Sequence, residues 1–484
     1  MSSPLAELEP RCVWTHFLAL TRIARPPKDE QAARAHVLAW ASERGFATAV
    51  DDEGNVVVQV AATPGRGNAE PVVLQAHLDM VCERDSDSPN DPLEGRIEVA
   101  RDSDWLFARG TTLGADNGIG VAAAMAVAEE LEHGPLELLF TVSEEQALAG
   151  AKALDASLIT GRLLVNLDGT RDESITVGCA GSAHTFVRLP LEPEPISDRW
   201  QALSVRVTGA RGGHSGGDIA NGRVNAIVAL GHVLSRAQAV ATLRLVSLDG
   251  GVSRNAIPRD AHAVIAVEPD SESLVRASAE KELTVLRAQH EGTDNAVVVS
   301  IDPADPVAQG AGKARTQGAL DLLNALPSGV VAMSSALPDV VETSTSLNVA
   351  ATAEGTLTLS SMTRSANEAA LEETVSEIER IAHLAGAEVE SLHAYPPWRP
   401  DPNSRLLERA RRTYAGLFDV EPKLEVVHGG LECAVIGSKL PGVEMISIGP
   451  DMEGLHAPGE RLSISGTERF YRFLGALLDE LSSP

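Results

Sequence analysis

Three short, largely apolar runs, each ending on an acid or a histidine, limit what this chain can fold into. Val72–Ala76 leads into His77 and Asp79 (VVLQAHLDM), Leu136–Val142 into Glu144 and Glu145 (LLFTVSEEQ), and Leu163–Leu167 into Asp168 (LLVNLD). Runs without polar alternation read as strands buried on both faces, the condition of parallel strands covered by helices. An Ala-rich helix over Gly118–Leu131 separates the first two runs, and the spacing predicts another helix over Ala32–Glu43 and a strand over Asn55–Val60. The expected fold class is therefore α/β, a mixed and largely parallel sheet flanked by helices.

At 484 residues the chain exceeds what one hydrophobic core usually serves. From about Leu189 its texture changes. LEPEPISD reads as a Pro-rich acidic hinge, followed by strands at Ala202–Val207, Val240–Leu248 and Ala263–Val267 and helices at Ala220–Ser235 and Ser271–Gln289. A similar round of strands and helices fills 295–385. These read as two α+β lobes side by side, inserted before the chain returns with a helix at Ser404–Leu417, strands near Leu424–Val427 and Glu444–Ile448, and a helix at Gly466–Leu481. The expected division is a first segment 1–188, an insert 189–390, and a second segment 391–484 that completes the first.

A formal charge of −28 argues against a nucleic-acid partner, whose phosphates it repels. No stretch is apolar for long enough to span a membrane, and MSSPLAELEPRCVWTHFLAL lacks the basic start of a signal peptide. The four cysteines lie far apart with no CxxC pair, which indicates neither a disulfide framework nor a thiolate zinc site. The cytoplasm is the expected compartment.

Two further acid- or histidine-bearing loops join the strand ends. Asp116 sits in the Gly-rich loop TTLGADNGIG before a helix, and His456 in PDMEGLHAPGER after the strand EMISIG. Side chains at the carboxyl ends of strands in an open α/β sheet converge on one crevice. Imidazole and carboxylate are zinc donors, and two zincs about 3.5–4 Å apart can share a water and polarise a carbonyl. A carboxylate already on metal is a poor base. The Glu144–Glu145 doublet offers one carboxylate to metal and leaves its neighbour free as general base. Asp79, two residues after His77, is placed to accept the other imidazole N–H and fix the tautomer.

The series AHLDM, GTTLGADNGIGVA, FTVSEEQALAGA, VNLD, GGHSGGD, VSRNAIPR, VHGGLECAVI and GPDMEGLHAPGER resembles the aminoacyl-histidine dipeptidases, Xaa-His peptidases with co-catalytic zincs, over essentially the whole chain. The resemblance implies a catalytic domain interrupted by a lid domain. It also implies hydrolysis of unblocked dipeptides by a water bridging two zinc ions, with manganese or cobalt as substitutes. By position, Asp116 bridges the metals, His77 and Asp168 complete one site, and Glu145 and His456 the other. Glu144 is the base, Asp79 the orienting aspartate, and the Asp116–Asn117 peptide is cis. In the insert, His214 donates to the developing oxyanion. Asn255 and Arg364 suit a dipeptide's backbone or free carboxylate, and His428 and Glu432 lie close to the site. An aminoacylase, tripeptidase or exocarboxypeptidase on the same scaffold is the alternative, and a non-catalytic metal-binding protein the more distant one. Monomer and homodimer both remain open.

Overall fold

The computed structural model describes residues 8–483 apart from Ala336 and Pro338; residues 1–7, part of the N-terminal segment read above, lie outside the described residues. The chain divides into two compact units: one of residues 1–178, 398–426 and 431–484, the other of 179–397 and 427–430.

The first unit is built on an eight-stranded sheet in the order Ala47–Val50, Val56–Val60, Leu136–Thr141, Val72–His77, Leu163–Asn166, Glu444–Ser447, Ser174–Cys179, Lys423–Val427. Its four central strands, from Leu136–Thr141 to Glu444–Ser447, run parallel. The three apolar runs are among them, and every residue of Val72–His77, Leu136–Thr141 and Leu163–Asn166 is buried. Register pairs His77 with Thr141, so the first two runs end level with one another. Helix Ala115–Glu130 is buried around almost its whole circumference from Asn117 to Val127. Only small side chains allow such close approach to the sheet, which accounts for the Ala-rich sequence. Helix Arg11–Leu20, to which the sequence reading assigned no element, packs Val13, Trp14, Phe17 and Leu20 inward. A small antiparallel sheet pairs Met452–Glu453 with Arg461–Ser463 and the latter with Trp105–Ala108. His456 lies in the loop of that hairpin.

The second unit is an antiparallel nine-stranded sheet with helices Ala226–Gln238, Glu272–Gln289, Lys313–Ala325 and Glu368–Leu384. Its core draws on strands and helices from 187 to 387 as one cluster. The strand by which the chain enters, Gly181–Pro190, pairs with the strand by which it leaves, Glu388–Tyr395. Bounds at 188/189 and 390/391 would cut both of these strands, so the unit extends to 179 and 397. The Pro-rich segment is no hinge: Pro193–Pro195 forms a short strand against Gln309–Ala311 within the unit. Among the described residues no helix is long and apolar enough to cross a membrane.

Candidate metal centre

In the first unit, the strand ends gather His77, Asp116, Glu145, Asp168 and His456. Asp116 lies at their middle. Its Oδ1 is 3.0 Å from His77 Nε2 and its Oδ2 is 3.2 Å from His456 Nε2. His77 Nε2 also lies 3.7 Å from Asp168 Oδ1, and His456 Nε2 lies 2.9 Å from Glu145 Oε1. One oxygen of Asp116 thus faces His77, with Asp168 beside it, and the other faces His456, with Glu145 beside it. One ligand atom from each of His77, Asp116 and Glu145 lies within 4.8 Å of the others. Glu145 Oε1 is buried and makes no hydrogen bond although His456 is so close. An unspent carboxylate oxygen facing an imidazole nitrogen is the condition a cation between them would relieve, so the residues present fit a divalent ion.

Electrostatics in this cluster follows from burial and crowding. Burial, Asp116 and Glu144 push Asp168 well above the usual carboxylate range. Asp116, although buried, is held low by hydrogen bonds from His456 and His77. The close approach of Asp116 and Glu145 to its Nε2 in turn lifts His456 to about 10. Glu144, next to Glu145 in the chain, is raised well above its ordinary value by burial, with Glu432, Glu145 and Asp116 adding to the rise.

Four groups fix the loops that carry these residues. Asp79, fully buried, accepts the backbone N–H of Glu144 on Oδ1 and of Glu145 on Oδ2, each at 3.0 Å. Its own carbonyl lies 3.1 Å from His77 Nδ1, closer than its carboxylate at 3.4 Å. Asp79 therefore orients the imidazole mainly through its main chain, while its side chain sets the Glu doublet. Asn117 accepts from His77 N and donates to Leu167 O, bridging two strand ends. A Cβ on Gly120 would come within 2.6 Å of both Asn117 Oδ1 and Leu167 O, so that position tolerates only glycine. The Asp116–Asn117 peptide is cis.

The other two groups were missed in the sequence. Glu460, 2% exposed, accepts four backbone N–H groups of the Asp116 loop: Leu113 at 2.7 Å and Gly114 at 3.0 Å on Oε2, Ala115 at 2.7 Å and Asp116 at 3.3 Å on Oε1. Arg25, 1% exposed, donates to the carbonyls of Leu78, Asp79 and Gly114. Glu460 follows His456 in the same GLHAPGER loop and carried a signal only as one more acid; Arg25 in TRIARPP carried none. Glu30 adds a lesser anchor, accepting from the N–H and hydroxyl of Ser143, whose left-handed backbone (φ 50°) turns the chain into Glu144.

Glu432 belongs to this unit and is fully buried. Its Oε2 accepts from Gln75 and Thr141 at 2.6 Å each, and Asn166 donates to Gln75. Burial lifts it to about 7. One oxygen is thus spent on the strand network, while Oε1 is unpaired.

His214, Asn255, Arg364 and His428 come together in the second unit. His214 pairs with Ala256 in a two-residue ladder, and Asn255 O accepts from Ser215 N. The backbone N–H groups of Gly216 and Gly217 both donate to His214 Nδ1, at 3.2 and 3.0 Å. That assigns the ring proton to Nε2 and makes it a donor. Burial and the nearby Arg364 lower His214 and keep it neutral. His428 is pushed down to about 4 by burial, Arg364 and His214, and its Nε2 pairs with Ser344 Oγ at 2.7 Å. A Cβ on Gly216 would meet His428 O at 2.2 Å and Arg364 Nε at 3.2 Å, so these three segments are in contact. Arg364 bonds Tyr395 through one nitrogen while its buried Nε is unpaired. Asn255 is exposed, its side chain turned to Ser253.

The family model for "Peptidase family M20/M25/M40" matches residues 73–480, which span every candidate metal ligand. The chain belongs to this peptidase family. It is 36% identical over 482 residues to the cytosol non-specific dipeptidase of Escherichia coli, covering 99% of each. It is similar to the crystal structure of an aminoacylhistidine dipeptidase from Vibrio alginolyticus, with a TM-score of 0.91, 34% identity, and coverage of 99% of this chain and 98% of that one. A tripeptidase from Staphylococcus aureus shares the fold at TM-score 0.57 and 15% identity over 98% and 99% of the two chains. As a member of the M20 peptidases, the chain is a hydrolase with a mixed α/β architecture.

Proposed function

We propose that this M20 peptidase hydrolyses unblocked dipeptides, of Xaa-His type among others, with two zinc ions held by His77 and Asp168 on one side, Glu145 and His456 on the other, and Asp116 between. The observation that carries the reading is the division of Asp116: its two oxygens face two separate histidines, each with a further carboxylate beside it. Imidazole with carboxylate suits zinc, and manganese or cobalt fit the same donors. Bound there, the ions supply an activated water and polarise the scissile carbonyl.

The chain's own residues do the rest. Glu144, outside both donor sets and raised by burial, takes the proton of the attacking water and delivers it to the leaving amine. Asp79, Asn117, Glu460 and Arg25 hold the loops so that the donors need no rearrangement as charge develops. His214, neutral with its proton on Nε2, is the hydrogen-bond donor this reading assigns to the oxyanion. Arg364, a buried guanidinium with an unpaired N–H beside two neutral histidines, is the group assigned to the substrate's free carboxylate. The E. coli and V. alginolyticus relatives bear dipeptidase names, which supports the substrate class.

The experiment is a substrate panel of Xaa-His and Xaa-Gly dipeptides, tripeptides and acetylated amino acids, assayed on the zinc-loaded protein. Free dipeptides are expected to give the highest kcat/KM. Equal or faster turnover of acetylated amino acids or tripeptides would overturn the dipeptidase reading while leaving the metal centre in place.

A further inference from the structure

Cys12 and His16 stand one turn apart on helix Arg11–Leu20 and so share a face. That face meets the C-terminal end of helix Ala115–Glu130. There Cys12 Sγ lies 3.5 Å from Glu129 Oε2 and His16 Nε2 lies 2.9 Å from Glu129 Oε1, and one donor atom from each of the three lies within 4.8 Å of the others. Cys12 is half-buried and His16 buried.

A structural role accounts for half of this cluster. Trp40 at 2.5 Å and Arg44 at 2.8 Å pair with Glu129 Oε1 and fix the carboxylate. Oε2 is left facing the thiol. The Tyr471 hydroxyl is buried without a hydrogen-bond partner, and Glu130, Cys12 and Glu129 all act on it. His36 Nε2 is likewise buried and unpartnered, and His36 acts on His16. Two polar atoms on the surrounding elements, Tyr471 Oη and His36 Nε2, are thus buried and unspent.

We infer that this cluster is a further, non-catalytic metal site for a soft or borderline divalent cation of the zinc class, with Cys12 Sγ, His16 Nε2 and Glu129 Oε2 as protein donors. Thiolate with imidazole selects zinc, cadmium or cobalt over magnesium and calcium. As the sulfur–metal bond forms, the thiol proton leaves to solvent, and the thiolate with Glu129 and the nearby Glu130 offsets the ion together with Arg44, which already pairs with Glu129. Without the ion the thiol is pushed up to about 12 by burial and the two acids, which excludes a nucleophilic role. Glu129 stands thirteen residues beyond Asp116 on the same helix, a separation on the order of 20 Å at 1.5 Å per residue. The ion therefore staples the first helix to the far end of the helix whose beginning carries Asp116, and does not touch the reacting atoms. The cysteine spacing conceals such a site because its other donors are a histidine and a glutamate.

Cobalt titration of metal-free protein tests this, reading bound equivalents and the sulfur-to-cobalt charge-transfer absorption in the near ultraviolet. Wild type is expected to show the absorption and to bind one equivalent more than Cys12→Ser. The absorption should vanish in Cys12→Ser, persist in Cys82→Ser, and leave dipeptide turnover of Cys12→Ser unchanged. His16→Gln, expected to lose the same equivalent, covers the case in which Cys12→Ser fails to fold. No thiolate absorption in wild type, or absorption retained in Cys12→Ser, would overturn the site. Because the count is a difference between variants, it holds whatever the catalytic centre binds.

Discussion

Replacing Glu460 with Gln tests how the Asp116 loop is held. The carboxylate collects four backbone N–H groups, two on each oxygen. In Glu460→Gln the amide oxygen keeps one pair, while the NH2 group confronts the other pair donor to donor. A hydrogen bond to a charged group contributes about 1.5–3 kcal/mol, so losing two removes about 3–6 kcal/mol before that repulsion is counted. Arg25, which feels Glu460, also loses a counter-charge in the interior. Part of the loss appears as lower stability, and part as disorder in the loop that presents Asp116 to the proposed metal centre. Groups that orient metal ligands typically cost 10–100-fold in metal affinity or activity when removed, so about that loss is expected in zinc affinity. Chelator competition measures the affinity, and thermal melting followed by circular dichroism measures the stability. Glu453→Gln is the control: on the same hairpin, its side chain pairs with exposed Arg461, and its effect should stay within about 0.5 kcal/mol. Zinc affinity and melting temperature of Glu460→Gln indistinguishable from those of Glu453→Gln would refute the role assigned to the four-amide cradle.

Asp79→Asn retains shape but turns one donor toward the N–H of Glu144 or Glu145, and kcat is expected to fall about 10–100-fold with the fold intact; unchanged kcat would show that this carboxylate does not set the doublet. Gly120→Ala places a methyl against Asn117 Oδ1 and Leu167 O and should lower melting temperature and zinc affinity together, as the bridge from His77 to Leu167 is displaced. His428, beside Arg364 and His214, is lowered to about 4, whereas an unfolded histidine titrates near about 6.5. The unfolded chain therefore binds this proton first. The contribution is fully present above about 6.5 and is lost as pH falls from there toward 4. Urea midpoints measured across that window should fall less steeply in His428→Gln than in wild type, and equal slopes would contradict the assignment.

The central sheet was legible because burial on both faces erases polar alternation, and Val72–His77, Leu136–Thr141 and Leu163–Asn166 leave that mark directly. The five candidate donors were legible because each lies at a strand end or in a glycine-rich loop. Their supports were not. Glu460 and Arg25 act on backbone groups, and a side chain that bonds main-chain N–H or C=O leaves no partner residue to recognise in sequence. Asp79 carried a visible pattern with His77, yet its carboxylate serves Glu144 and Glu145, a pairing set by register between neighbouring strands. The unit boundaries were misplaced for a similar reason. Composition marks LEPEPISD, whereas the pairing of Gly181–Pro190 with Glu388–Tyr395 is a contact between segments about two hundred residues apart.

The measurement that bears most directly on the account is turnover of a free dipeptide by Glu144→Ala with zinc content determined in parallel. Glu144 lies outside both donor sets, so the variant is expected to bind zinc in wild-type amount while kcat falls by about 10²–10⁴, the contribution of a positioned general base. Wild-type turnover by the fully metal-loaded variant would contradict the mechanism, and loss of zinc along with activity would move Glu144 from base to ligand.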